Sequence, residues 1–128
     1  MPTTQKVAVM ILSDPKHGSE EALGRLMNAL ATAYEVQNRG DEVLVLFQGT
    51  GTRWLDELVR EDHPAHLLFE EVKQTIAGAS LGCAEMFGAA QDVRRTGFDL
   101  IRGNPAPGTS GIPSIHALLC QGFTVLTF

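Results

Sequence analysis

The chain is short of cysteine, of basic runs and of long apolar stretches, and each shortage excludes a class of protein. Two cysteines in 128 residues, Cys83 and Cys120, are too few for a disulfide framework. With no export signal, the expected state is two free thiols in a cytoplasmic protein. Lysine and arginine number 10 against 15 aspartates and glutamates, for a formal net charge of -5, and no basic cluster exceeds the pair Arg94, Arg95. The footprint of a phosphate-backbone binder is missing, so nucleic acid is not an expected partner. The apolar run at residues 7–12 is far shorter than the ~20 residues of a spanning helix, and no membrane partner is expected. Also missing are Gly-Lys-Ser or Gly-Lys-Thr, Gly-x-Gly-x-x-Gly and Gly-x-Ser-x-Gly, which leaves phosphate-loop, dinucleotide and serine-hydrolase readings without support. No cofactor is expected on this reading.

What is present is the composition of one globular domain. With 44% hydrophobic and 20% charged residues, the chain is neither disordered nor fibrous. Its length suffices for a core without staples.

Residues 6–12, apolar without a break from Val7, are closed by Ser13, Asp14 and Pro15, the pattern of a strand covered on both faces. After the loop 13–18, Ser19 is the expected N-cap of a helix with Glu20 and Glu21 in its first turn. Leu23, Leu26, Met27, Leu30 and Tyr34 form its apolar stripe, and Gly40 ends it. Residues 41–47 repeat the strand pattern, and 48–52 (Gln-Gly-Thr-Gly-Thr) read as a turn whose N–H groups can still receive an anion. Strand, helix and strand make a βαβ unit and so a parallel sheet. Trp54, Leu55, Leu58 and Val59 share a helical face. Pro64 separates that helix from a second over 65–73. Residues 75–79 read as the third strand, running into a helix that starts near Cys83 and closes at Gly88, followed by a helical turn over 89–95. Residues 97–103 suit an edge strand, and 104–111 a loop. A helix is expected from Pro113 to Gln121, and a last strand over 123–128. The predicted fold is α/β: a single-domain open parallel sheet of about five strands with helices on both faces.

In such sheets, chemistry gathers beyond the carboxyl ends of the strands, here the loops 13–19, 48–52, 80–83 and 104–114. Cys83 is the leading candidate there. A thiol at a helix start meets unpaired N–H groups that favour thiolate, while the competing reading is a small buried hydrophobe. Cys120 sits in the apolar run Ala117, Leu118, Leu119 and is expected to be buried packing. His17, with Asp14 three residues before it, could serve Cys83 as base or counter-ion, or be an ordinary loop histidine. His63 and His66 flank Pro64 without a third ligand nearby, so metal is not expected there. His116 reads as packing or exposed.

The order and spacing of these segments resemble the DsrE/DsrF-like family, with its YchN-type fold, over essentially the whole length. The likeness is carried by residues 7–18 with Ser19, Glu20 and Glu21, by 40–51, by 77–88, and by 115–128 around Gly122 and Phe123. It implies a sheet of about five parallel strands and a homo-oligomer, trimer or hexamer. It also implies, for several relatives, a sulfur relay in which a cysteine at the end of the third strand accepts sulfur as a persulfide from a donor protein and hands it to an acceptor. Matching the glycine that closes the short helix to Gly88 puts that acceptor position on Ser80, which cannot carry a persulfide. Some relatives have a second cysteine three residues on, and Cys83 matches it. The resemblance therefore implies a thiol at Cys83, assisted by Ser80, His17 and Asp14, or a binding or scaffold protein that has lost the acceptor.

Overall fold

The computed structural model describes residues 4–17 and 20–128. The expected N-cap Ser19 lies outside them. Among the described residues five strands, β1 (Lys6–Ile11), β2 (Glu42–Phe47), β3 (Ile76–Ser80), β4 (Leu100–Ile101) and β5 (Thr124–Thr127), alternate with six helices. These are α1 (Glu20–Asn38), α2 (Trp54–Leu58), α3 (His66–Val72), α4 (Leu81–Met86), α5 (Ala90–Thr96) and α6 (Ile115–Cys120). Short 3-10 turns occupy Pro15–His17, Gly49–Arg53 and Lys73–Thr75. All pairings are parallel, in the order β4-β3-β2-β1-β5. The expected α/β sheet with helices on both faces is the one observed.

The strand period of two sorts the core. Val7, Val9 and Ile11 of β1 join Val45 and Phe47 of β2 under α1, α2, α3 and α5, which contribute Leu30, Leu55, Phe69 and Val93 among others. The alternate residues, Ala8, Met10 and Leu46, meet Leu118 of α6 and Phe123 on the opposite face. One face is thus covered by four helices. Six-residue α6 supplies the helical cover of the other, where Leu44, Ala77, Ile101 and Val125 remain partly buried.

Several boundaries differ from expectation for local reasons. Leu26 and Leu30 are buried and Leu23 and Met27 pack half-buried against the core, as expected, but Tyr34 is exposed, and the fully buried stripe of α1 also takes in Ala22, Ala29 and Ala33. Small residues let the helix lie close to the sheet, and the larger Tyr34 falls outside the contact. Val59 is likewise exposed, because α2 ends at Leu58. Thr75 belongs to a 3-10 turn and donates its hydroxyl to the Val72 carbonyl at 2.6 Å. At the last helix Pro113 stays outside. Ser114 is the N-cap, its Oγ accepting the Ala117 N–H at 3.1 Å, and a serine in that place satisfies an otherwise orphan donor. The edge strand β4 keeps two residues, since Gly97 is the left-handed C-cap of α5.

Candidate functional site

The handover from β3 to α4 takes no loop at all. Ser80 ends the strand and is also the N-cap: its Oγ accepts the backbone N–H of Cys83 at 3.2 Å. The helix therefore starts at Leu81, two residues earlier than the cysteine suggested, because a serine hydroxyl is the better cap. Ser80 is fully buried, whereas Cys83 is a free, half-buried thiol in the first turn of α4. Ser80 and Cys83 are thus brought together, but through the cysteine's backbone and not its sulfur.

Asp14 and His17 form a second pair at the end of β1. The Asp14 carboxylate accepts the Lys16 N–H at 2.9 Å, lies 3.5 Å from His17 Nε2, and makes a 2.8 Å ion pair with Arg53 Nη1. Burial pushes the Asp14 carboxyl up. The Lys16 N–H and the bonded, charged Arg53, with a smaller contribution from His17, outweigh that push and hold it below its ordinary value of 3.8. The His17 ring is 87% exposed, and among the described residues no hydrogen bond or ion pair joins it to Cys83.

The two pairs are linked by Arg53, a residue that sequence reasoning missed. Its Nε and Nη2 donate to the carbonyl of Phe87, the C-cap of α4, at 3.3 and 3.2 Å, and its guanidinium lies 5.8 Å from the centre of the Phe87 ring. Arg53 thus ties the loop after β1 to the far end of the cysteine-bearing helix. Its neighbour Trp54 donates Nε1–H to the Ser13 carbonyl at 2.8 Å and lies 3.2 Å from the Ser13 hydroxyl. The turn that carries Arg53 and leads into Trp54 sits hard against β1, where a Cβ on Gly51 would meet the Ile11 carbonyl oxygen. The turn 49–53 is therefore a structural wedge that aims Arg53. The only sequence signal for this was a lone cation after a glycine-bearing turn at a strand's carboxyl end.

On the other side α4 packs against the 104–111 loop. The Gly82 N–H donates to the Gly111 carbonyl at 2.8 Å, and a Cβ at Gly82 would come within 2.9 Å of that same oxygen. Beside this contact a cleft of about 510 Å³ opens between Gly82, Glu85 and Met86 and the loop residues Gly108, Thr109 and Ser110. Cys83 does not line it.

The remaining candidates lie apart. Contrary to expectation Cys120 is exposed, because the apolar face of α6 that meets the sheet is carried by Leu118. The Cys120 sulfur lies 3.8 and 3.7 Å from Nδ1 and Nε2 of His116. His63 Nδ1 accepts the Ala65 N–H at 3.1 Å, and its ring meets the Trp54 ring edge-on at 6.0 Å. Burial, more than the opposing charges around it, lowers the His63 pKa below 6.5. His66 Nδ1 lies 2.7 Å from the Leu58 carbonyl, so both rings serve the 59–65 connection. Among the described residues no three His, Cys, Asp or Glu side chains cluster to hold a metal, and no helix is long and apolar enough to cross a membrane.

No family model matches the chain, and no solved structure matches it. The uncharacterized protein MJ0733 of Methanocaldococcus jannaschii is 32% identical over 89 residues, which cover 70% of this chain and 72% of that protein. At that identity and coverage, the chain belongs to the same family as MJ0733.

Proposed function

We propose that the chain is a cytoplasmic DsrE/DsrF-like protein, assembled as a homo-oligomer, that carries sulfane sulfur on Cys83. The observation that supports this most is the placement of a free, half-buried thiol in the first turn of the helix that leaves β3. That is the strand end at which relay proteins of the resembled family hold their acceptor. In the proposed step the Cys83 thiolate attacks the outer sulfur of a donor persulfide. A bond forms between Cys83 Sγ and that sulfur, the donor's S–S bond breaks, and the donor leaves as a thiolate that takes up the proton Cys83 released. No net oxidation occurs, and the reverse logic delivers the sulfur to an acceptor thiol. Ser80 positions Cys83 through its backbone N–H, and Arg53 fixes the other end of α4.

The exposed Cys120 dictates the form of the test. Cys120→Ser protein, fully reduced, is incubated with a small-molecule persulfide donor and the Cys83 peptide is weighed. Gain of one sulfur atom on Cys83 is expected. A Cys83 peptide that gains none, while a free-cysteine control does, overturns the reading.

A second reading, an oligomeric binding or scaffold protein without relay chemistry, is favoured by the burial of Ser80 as a cap and by the thinly covered α6 face of the sheet. It predicts an assembly in light scattering together with a Cys83 that alkylates no faster than free cysteine.

A further inference from the structure

We propose that the outer edge of β5 is a self-association surface, at which β5 of a second copy pairs antiparallel across a two-fold axis through Leu126. The sheet has two outer strands, β4 and β5, and they are built differently. β4 is two residues long and lies between Asp99 and Arg102, a short, charge-flanked strand of the kind that resists pairing. β5 (Thr-Val-Leu-Thr) lies in a stretch, residues 122–128, with no charged side chain and no proline. Nothing in it blocks another strand. The direction of its backbone groups follows from the bonds to β1. Phe128 donates its N–H to the Met10 carbonyl at 2.9 Å, and its own carbonyl accepts the Leu12 N–H at 2.7 Å, so both groups face β1. By the strand period of two, those of Leu126 and Thr124 do the same, and those of Val125 and Thr127 point away from the sheet. Among the described residues no strand pairs with that side.

The chemistry of this edge selects its occupant. It carries no charge that would hold an acidic or a basic segment, and a chain of net charge -5 meets its twin here without like charges facing each other. Antiparallel pairing about Leu126 sets Val125 of each copy opposite Thr127 of the other, so their outward N–H and C=O groups satisfy one another in about four hydrogen bonds. Leu126, which shares the sheet face of Val9 but is 37% exposed at the margin, falls opposite itself. That position is the closer, non-hydrogen-bonded one, with Cα atoms about 4.5 Å apart, and each leucine covers the other. A contact of one short strand falls below the roughly 1,200 Å² of a stable interface, so the dimer it makes is reversible and concentration-dependent.

The pairing supplies a contact for the proposed homo-oligomer and requires no sulfur chemistry. Sulfur gain on Cys83 and the mass of the assembly are separate readouts, so either reading can fail alone. The test is sedimentation of the reduced protein at concentrations up to about 1 mM, joined to site-directed crosslinking. The expected result is a rise from 13.8 kDa toward twice that mass, or an even-numbered assembly. Thr127→Pro removes an outward donor and keeps every bond to β1, and Leu126→Lys sets like charges on the axis. Each is expected to weaken association at least about tenfold, with Trp54 emission and circular dichroism unchanged. In a Cys83→Ser, Cys120→Ser background, Leu126→Cys is expected to form an intermolecular disulfide with oxidised glutathione, because the paired Cα atoms fall within the range of about 4.4–6.8 Å that a disulfide spans. Thr124→Cys, set opposite Phe128 of the other copy, is expected not to crosslink. This comparison decides the matter even where a sedimentation variant fails to fold. A monomer throughout, an odd-numbered assembly, a mass that either folded variant leaves unchanged, or equal crosslinking at positions 124 and 126 overturns the proposal.

Discussion

Replacing Arg53 by Met is expected to unlatch the site from the sheet, and the size of the effect follows from the burial of its partners. The Arg53 and Asp14 side chains are 19% and 13% exposed. Breaking a fully buried ion pair costs about 3–5 kcal/mol, and an exposed one about 0–1 kcal/mol. Asp14 keeps the Lys16 N–H and His17 after the substitution, which softens the loss of its main counter-charge. The Phe87 carbonyl loses both guanidinium donors, worth roughly 1 kcal/mol. The sum expected is about 2 kcal/mol, or a urea midpoint lower by about 1 M. Unfolding is followed by the emission of Trp54, the chain's one tryptophan, which is bonded to the same loop. A double-mutant cycle with Asp14→Asn is expected to give a coupling of about 1 kcal/mol or more. Because the folded carboxyl is held below 3.8, its stabilisation is present above that value and is lost as pH falls through the lower folded pKa. The gap between wild type and Asp14→Asn therefore closes in acid. A loss under about 0.5 kcal/mol with an additive cycle would refute the latch.

Further outcomes are expected at three residues. Ser80→Ala removes the cap from α4 and lowers stability by about 1 kcal/mol in thermal or urea melts, while Ser80→Cys places a thiol that alkylating reagent reaches only after denaturation, since Ser80 is fully buried. Gly51→Ala forces a methyl against the Ile11 carbonyl and costs on the order of 2 kcal/mol or leaves the chain insoluble; an unchanged melting temperature contradicts the wedge. His63, whose folded pKa lies below 6.5, contributes stability that is complete above that value and is lost as pH falls toward the folded pKa. The accompanying change in Trp54 emission should vanish in His63→Gln.

The sheet was legible because β1 and β2 are long, apolar and closed by polar residues, so periodicity and length gave the same answer for both. The site's location followed from topology, since the ends of parallel strands collect the loops. What sequence could not supply were contacts that join distant segments. Asp14 reads as a partner for His17, three residues away, yet its dominant partner is Arg53, 39 positions on. Cys83 reads as a helix start because a thiol there has chemical meaning, but the backbone responds to hydrogen-bond donors, and the Ser80 hydroxyl satisfies one. Cys120 misleads for another reason. In a helix of six residues an apolar run does not reveal which face the sheet takes, and Leu118 claimed it, turning the thiol outward.

The place of β5 has a consequence for how the molecule is made. β1 lies inside the sheet with β2 on one edge and β5 on the other, so its second edge closes only after the strand beginning at Thr124 has left the ribosome. Until then a strand that is apolar from Val7 to Ile11 offers an open ladder of backbone donors and acceptors to any neighbour. Pairing the first strand with the last also needs the longest loop closure in the chain, which is slow. Synthesis therefore passes through an intermediate whose hazard is at its N-terminal strand. Slowing translation just before Thr124, or trimming β5, is expected to send this protein into aggregates while most of its helices are already formed.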